Sequence, residues 1–421
     1  MKTIFLKSWL YFPSLLITLY GGQAMANDAA LCGATESAPA SGKPILVGAI
    51  VGRTGPDDFS SAGAAARAYF KCVNENGGIG GRPIEYLIED DKWNPETAAQ
   101  AASKLVKDRN VVAMVGSASF VEMSVNAKLY ETEKVISLAS GCAVRECFEA
   151  RNIATTNQGP LPSNLGAVQW SVRTQGSKKV ACIGLNIPSN GVWSCDAVND
   201  WLKKQGLEGT SVLFDPSAAD FTGVILEAMA ASPDTILLNL PAGAGLSVLK
   251  AAQEQDLRDQ YKWIAATPLY DSKIPAALGE YWDGHLAVQI ELTRLDGQGE
   301  DAKRWRELMV RYGTNDSKAS NRVDTFSQAG FVSANIFVDA LRKLNPDQID
   351  RPSVSQAIQG VVGHKTDLLC APWTFGEGDK HMANHAGMIV QVKNQGYSTL
   401  DGCSDVEIPA IYRQTGAGKG A

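Results

Sequence analysis

Short runs of β-branched and aliphatic residues alternate with longer alanine-rich stretches, and they do so in two series. The first run, Ile45-Leu46-Val47-Gly48-Ala49-Ile50-Val51, is followed by a helix pattern from about Ser61 to Asn74. Pro83 to Glu89 reads as the next strand, and Asn94-Pro95-Glu96 supplies a cap and a first-turn proline for a helix reaching Lys107. Val111 to Val115 is continuously apolar, as a strand buried on both faces requires. A helix to Glu133 and a strand at Val135 to Ala139 complete the series. Strand, helix and strand joined by short connections bury both faces of a parallel sheet under helices, which confines the chain to the α/β class.

The second series begins after an extended segment near Arg151 to Asn157. Helices are expected at Pro162 to Gln175, up to about Lys204, and at Asp220 to Ala231, with strands at Lys179 to Gly184, Ser211 to Asp215, Thr235 to Leu240 and Tyr261 to Thr267. After an extended His285 to Ile290 come helices at about Gly299 to Tyr312, Thr325 to Leu344 and Ser353 to Val361. Trp373 to Phe375 and Gly387 to Val392 read as short strands, and the end of the chain as a loose tail. The expected division is a leader at 1–26, a first lobe from 43–155 and 287–366, a second lobe from 156–286 and 367–412, and a flexible tail at 413–421. Repeated crossing between lobes makes a hinge.

Lys2 and Lys7, an apolar run from Trp9 to Leu19 and Ala24-Met25-Ala26 form a secretory signal layout. The run is shorter than the roughly 20 residues a spanning helix needs, and Pro13 interrupts it. No Cys directly follows the small residues, so a free mature end is expected rather than a lipid anchor. Losing this leader makes the formal charge of -6 more negative by two lysines, and nothing resembles a basic stripe for nucleic acid. The eight cysteines all lie beyond the leader, and in an oxidising compartment an even number reads as disulfides. Spacing favours Cys142 with Cys147 and Cys182 with Cys195; Cys32, Cys72, Cys370 and Cys403 are left to pair by proximity, with connectivity open. No Cys-x-x-Cys occurs, and His381 and His385 have no evident third ligand, so neither a metal nor another cofactor is expected.

Val47-Gly48-Ala49, Thr54-Gly55-Pro56, Asn74 through Pro83, Asp90-Asp91 and Asn94-Pro95-Glu96-Thr97-Ala98 together resemble the branched-chain amino-acid type of substrate-binding protein from ATP-driven uptake systems. Leu129-Tyr130-Glu131 and the order of elements extend the likeness over most of the chain. The resemblance implies a type I periplasmic binding fold, a monomer that traps a small solute between its lobes, delivers it to a membrane permease of an ABC transporter and catalyses nothing. A ligand sensor that docks on a membrane receptor is the alternative on the same fold.

Ligands of open α/β sheets sit at loops leaving the carboxyl ends of strands, where helix starts offer free N–H groups. By that rule Arg53 and Phe59 follow the first strand, and Ser117, Ser119 and Phe120 the third. Ser140 and Gly141, after the fourth strand, align with the carboxylate-holding loop of the resembled family, though its usual small-residue and threonine pattern is altered. Trp93 follows the paired acids; Asn190 and Trp193 stand where relatives often place Tyr-Gly, and Trp193 reads equally as a core aromatic. Pro268-Leu269-Tyr270-Asp271 occupies the position of the acid that meets a ligand ammonium, so either Asp271 takes that role or the ligand lacks an amino group. These residues would suit an amino acid, or an aromatic or otherwise planar acid or amide.

A nucleotide-dependent α/β enzyme is the remaining rival. Its best motif, Gly243-Ala244-Gly245, has Val248 where the third glycine belongs, and Gly77 to Gly81 follows a helix instead of a strand. No phosphate loop and no Gly-x-Ser-x-Gly elbow is present.

Overall fold

The computed structural model describes residues 29–34, 38–215, 220–313 and 322–413. The leader at Met1 to Ala26 and the tail from Gly416 to Ala421 lie outside the described residues.

The first sheet contains β1 (Ile45–Val51), β2 (Ile84–Asp90), β3 (Ala113–Val115), β4 (Ala118–Ser119), β5 (Ile136–Ala139), β6 (Gly141–Cys142) and β7 (Ile153–Thr155). All its pairs are parallel, in the order β2-β1-β3-β5-β7, with β4 and β6 continuing β3 and β5 after a break. The break after β3 falls at Gly116, whose φ of 80° belongs to glycine; a Cβ there would stand 2.8 Å from the Tyr86 hydroxyl. Tyr86 donates that hydroxyl to Val115 O at 2.7 Å, closing the strand end. Helices α1 (Ser61–Glu75), α2 (Pro95–Ser103) and α3 (Glu122–Thr132) connect the strands. As the sequence indicates, Asn94 caps α2 by accepting the Thr97 N–H, with Pro95 in its first turn.

The second sheet is fed by α4 (Pro160–Trp170), β8 (Lys179–Leu185), α5 (Trp193–Lys204), β9 (Glu208–Phe214), α6 (Phe221–Ala230), β10 (Thr235–Asn239), α7 (Ala242–Glu254), β11 (Lys262–Ala265), α8 (Lys273–Leu278) and β12 (Leu286–Ile290). Its order is β9-β8-β10-β11-β12, all parallel, and the chain leaves it after Ile290. The chain then returns to the first half as α9 (Glu300–Tyr312), α10 (Thr325–Leu341) and α11 (Arg351–Gln359). Helix α10 lies so close to α1 that a Cβ on Gly330 would meet Ala62 O at 2.1 Å. Phe331 and Phe337 pack edge-on against Tyr69 and Phe70, with ring centroids 5.2 and 5.9 Å apart. The final strand β13 (Ala386–Lys393) adds antiparallel to β12, and β14 (Gly396–Asp405) adds antiparallel to β13, completing the second sheet.

One local expectation changes and one strand is new. Trp373 to Phe375 is not a strand: Trp373 makes one bridge to His364, buries its ring in the first core and donates its indole N–H to Thr155 O at 2.8 Å. Anchoring by aromatic bulk replaces a ladder there. Strand β14 is an addition to what the sequence indicates, because an edge strand rich in Ser, Thr, Asp and Gly lacks apolar alternation.

Three chain crossings join the halves, and a small polar knot holds them together. Asn384 Nδ2 donates to Thr156 O at 2.8 Å and to Glu291 O at 2.9 Å, while the Gln158 N–H donates to the Glu291 carboxylate at 2.9 Å. Disulfides join Cys32 to Cys72, Cys142 to Cys147, Cys182 to Cys195 and Cys370 to Cys403, leaving no free cysteine. Cys32–Cys72 ties the start of the described chain to α1, and the Cys32 carbonyl accepts from Arg342 at 2.9 Å. Cys370 follows Leu368 and Leu369 of the first core, whereas Cys403 lies on β14 of the second sheet, so this bridge spans the halves. We predict that the double variant C32S/C72S loses about 2 to 4 kcal/mol of unfolding free energy through loss of loop closure. Urea titration reads this, and an unchanged midpoint would contradict it.

Candidate functional site

A cavity of about 560 Å³ opens between the carboxyl ends of the two sheets, where the topology requires a solute site. Its first wall comes from the loop after β1. Gly55 lets that loop lie flat on the Trp93 indole, since a Cβ there would stand 2.3 Å from the ring. Trp93 donates its indole N–H to Asp57 O at 2.9 Å and stacks on Phe120 with centroids 5.2 Å apart and planes 9° from parallel. Phe59 leans on Trp93 at 5.2 Å and on Phe326, at the start of α10, at 4.6 Å. Phe59, Phe120 and Phe326 are thereby presented to the cavity as one aromatic surface.

The paired acids at the end of β2 hold this wall from behind. Asp90 accepts the backbone N–H of Arg53, Thr54 and Lys92 and the Thr54 hydroxyl. Burial opposes its ionisation, but those hydrogen bonds prevail and keep the carboxyl below its usual range. Asp91 is fully buried, accepts the Trp93 N–H and the Ser119 hydroxyl, and is raised by burial. Ser119 in turn accepts the N–H groups of Val121 and Glu122, fixing the start of α3.

The second wall comes from loops after β8, β10 and β11. The turn Pro188–Val192 has i→i+5 bonding, and its Gly191 passes so near Leu185 that a Cβ would meet the Leu185 carbonyl at 2.0 Å. It carries Asn190 into the cavity, where Nδ2 donates across the cleft to Ala143 O at 2.6 Å. Asn239 and Thr267 reach the cavity from the ends of β10 and β11, and Tyr270 and Asp271 follow. Tyr270 packs edge-on against Tyr397 at 4.7 Å and accepts the Leu295 N–H at its hydroxyl.

The floor is Glu291, the first residue past β12, nine-tenths buried at the hinge. Burial pushes its carboxyl up to about 7, against the pull of the Gln158 and Gly159 N–H groups and the Asn157 side chain. Across the mouth Asp57 is raised by burial and by Asp271 of the opposite half, with Lys273 opposing.

Of the residues read from the sequence, Phe59, Ser119, Phe120, Gly141, Asn190, Tyr270 and Asp271 line the cavity, and five do not. Arg53 points to solvent beside Asp90, 3.6 Å away. Trp93 backs the wall instead of forming it. Ser117 is spent on the Ile50 N–H and the buried Glu122, and Ser140 on Ser333 at 2.9 Å. Trp193 stacks on Phe148 and meets Tyr412 edge-on, joining the halves outside the cavity. Asp57, Asn157, Ser163, Asn239, Thr267, Glu291, Arg322 and Phe326 also line it. Asn239 and Glu291 stand at strand ends and were within reach of the same rule; Arg322 and Phe326 arrive only with the returning chain. Among the described residues no group of three or more His, Cys, Asp or Glu could hold a metal, and no helix is long and apolar enough to cross a membrane.

With this geometry the chain belongs to the periplasmic binding protein family, whose model matches residues 44–397. No curated protein sequence matches it. Solved structures share the fold across nearly the whole chain. A fatty acid ABC transporter substrate-binding protein from Thermomonospora curvata superposes with a TM-score of 0.74 at 19% identity, covering 90% of this chain and 99% of its own. A solute-binding protein from R. palustris in complex with 4-hydroxybenzoate gives 0.73 at 16%, covering 87% and 98%. A possible leucine/isoleucine/valine-binding protein from Rhodopirellula baltica gives 0.75 at 13%, again covering 87% and 98%.

Because Glu291 holds its proton more tightly in the folded state than unfolded, its contribution favours folding at low pH and is lost as pH rises from about 4.5 through about 7. We predict that E291Q removes this part of the decline. Melting curves from about pH 5 to about pH 8 should show the variant gaining on the parent as pH rises; parallel curves would contradict the assignment.

Proposed function

We propose that the chain is exported after cleavage behind Ala26 and serves as the extracytoplasmic solute-binding subunit of an ABC uptake system, capturing a small molecule between its halves and handing it as a monomer to a membrane permease. The observation that carries this reading is the cavity of about 560 Å³ placed where two strand-end loop sets face each other across three crossings. That volume lies in the range that encloses a ligand of metabolite size. The fold supports the same use, since the similar proteins from Thermomonospora curvata and R. palustris are described as ABC transporter components. The chemistry favours capture over catalysis. Ser163 shares its hydroxyl with Thr267 and Asn157 spends its amide on Cys142, so these polar groups shape the wall instead of activating a nucleophile.

Closure would bring Tyr270 and Asp271 against Phe59 and Phe326 around the solute, with Glu291 at the pivot. Amino-terminal sequencing of protein recovered from the cell envelope should begin at Asn27. We predict that solute bound through mild purification is released on denaturation and identified by mass spectrometry, and that F326A and Y270A each weaken its rebinding by about ten- to hundredfold. Undiminished affinity in both variants, or scattering profiles that never contract with any solute, would remove the cleft from consideration.

A further inference from the structure

We propose that Trp193 and Tyr412 are positioning residues for capture: with Phe148 they form a seam outside the cavity that holds the two halves at their present angle before any solute arrives. What that angle encloses rests on the solute-binding reading; the seam itself is a set of contacts between the halves.

The receiving side is the first-half loop from Cys142 to Glu149. A disulfide between Cys142 and Cys147 closes it into a ring. Asn157 holds its start by bonding both the N–H and the carbonyl of Cys142, at 3.1 and 3.0 Å. The His381 N–H holds its end at the Phe148 carbonyl, 3.1 Å away, and Lys380 meets the Glu149 carboxylate at 3.1 Å. A loop pinned at both ends and bridged internally has little freedom left to lose when something docks on it.

Three contacts from two separate stretches of the second half converge on that loop. Asn190, in the turn after β8, donates to Ala143 O at 2.6 Å. Trp193, at the start of α5, stacks on Phe148 with centroids 5.8 Å apart and planes 28° from parallel. Tyr412, on the segment after β14, meets Trp193 edge-on at 6.2 Å and donates its hydroxyl to Glu149 at 2.6 Å. The segment carrying Tyr412 is fastened to the second half. Glu407 gives its N–H to the Gln169 amide and takes a bond from it at its carbonyl, at 2.9 and 2.8 Å, and it accepts the Trp201 indole N–H at 3.1 Å. Phe148 is thereby a buried first-half ring seated in the second half, with Gly159 at the start of α4 beneath it; a Cβ on Gly159 would stand 2.3 Å from the ring.

Only the inner end of the seam touches the cavity. Cys142, Ala143 and Asn190 line it, whereas Phe148, Trp193 and Tyr412 do not. Swinging the halves apart would separate a buried aromatic stack and a hydrogen bond to a carboxylate, so both favour the present angle without any help from a solute. The contact between Asn190 and Ala143 in the cavity wall is thus set from outside.

The test uses the full chain, freed of carried solute by unfolding in urea with its disulfides intact and refolding. Small-angle scattering and backbone amide exchange are compared between parent and variants well below the melting temperature. W193A and Y412A should each enlarge the radius of gyration of the empty protein and speed exchange across residues 143–149 by about tenfold. Y412F, which keeps the ring and loses only the bond to Glu149, should fall between them and the parent. Variants that melt lower yet keep the parent's radius and exchange would reduce the seam to a prop for the fold and overturn the proposal. If the alanine variants fail to refold, Y412F exchanging at the parent's rate overturns it alone. No solute enters this experiment, so either result leaves the solute-binding reading to its own test.

Discussion

The structure depends on how three passages of chain are kept in register at one buried point. Asn384 grips the Thr156 and Glu291 carbonyls while the Glu291 carboxyl grips the next backbone N–H, so the second and third crossings are both fastened to the first. These bonds sit away from water, where a lost partner exposes a polar group to a costly environment. Both sheets are rigid by comparison. A closing motion of the halves would have to turn at the few backbone torsions around this knot, carrying the strand-end loops as intact surfaces.

Those surfaces are built in layers. On the first half, the buried Asp91 holds a serine that starts a helix, and it also accepts the backbone N–H of Trp93, whose indole, bonded to Asp57 O, supports two phenylalanines. The face this half shows to the cavity combines the three phenylalanines with Asp57, Asp58, Asp324 and the Arg322 guanidinium. Preorganisation of this kind leaves little side-chain freedom to be lost on capture.

Much of the fold is legible in the sequence because parallel strands and amphipathic helices impose different periods. The capped start at Asn94-Pro95 and the apolar runs of the second sheet are examples. The polar strand from Gly396 to Asp405 has no such period, and the aromatic anchor at Trp373 imitates one. For the cavity, loops following strands identify Phe59, Phe120, Asn190 and Tyr270 directly. What a sequence does not display is where hydroxyls spend their protons. Ser117 and Ser140 look like ligand donors until Glu122 and Ser333 are found beside them. Phe326 was hidden for a different reason: it reaches the first wall only through a chain return spanning more than a hundred residues of sequence.

The bridge from Cys370 to Cys403 gives this hinge a leash. One end is anchored beside the first core and the other on the outer strand of the second sheet, so the arc through which the cleft can gape is bounded by covalent geometry. A covalent tie of this kind would limit the arrangements open to the empty form and so trim the disorder surrendered at capture.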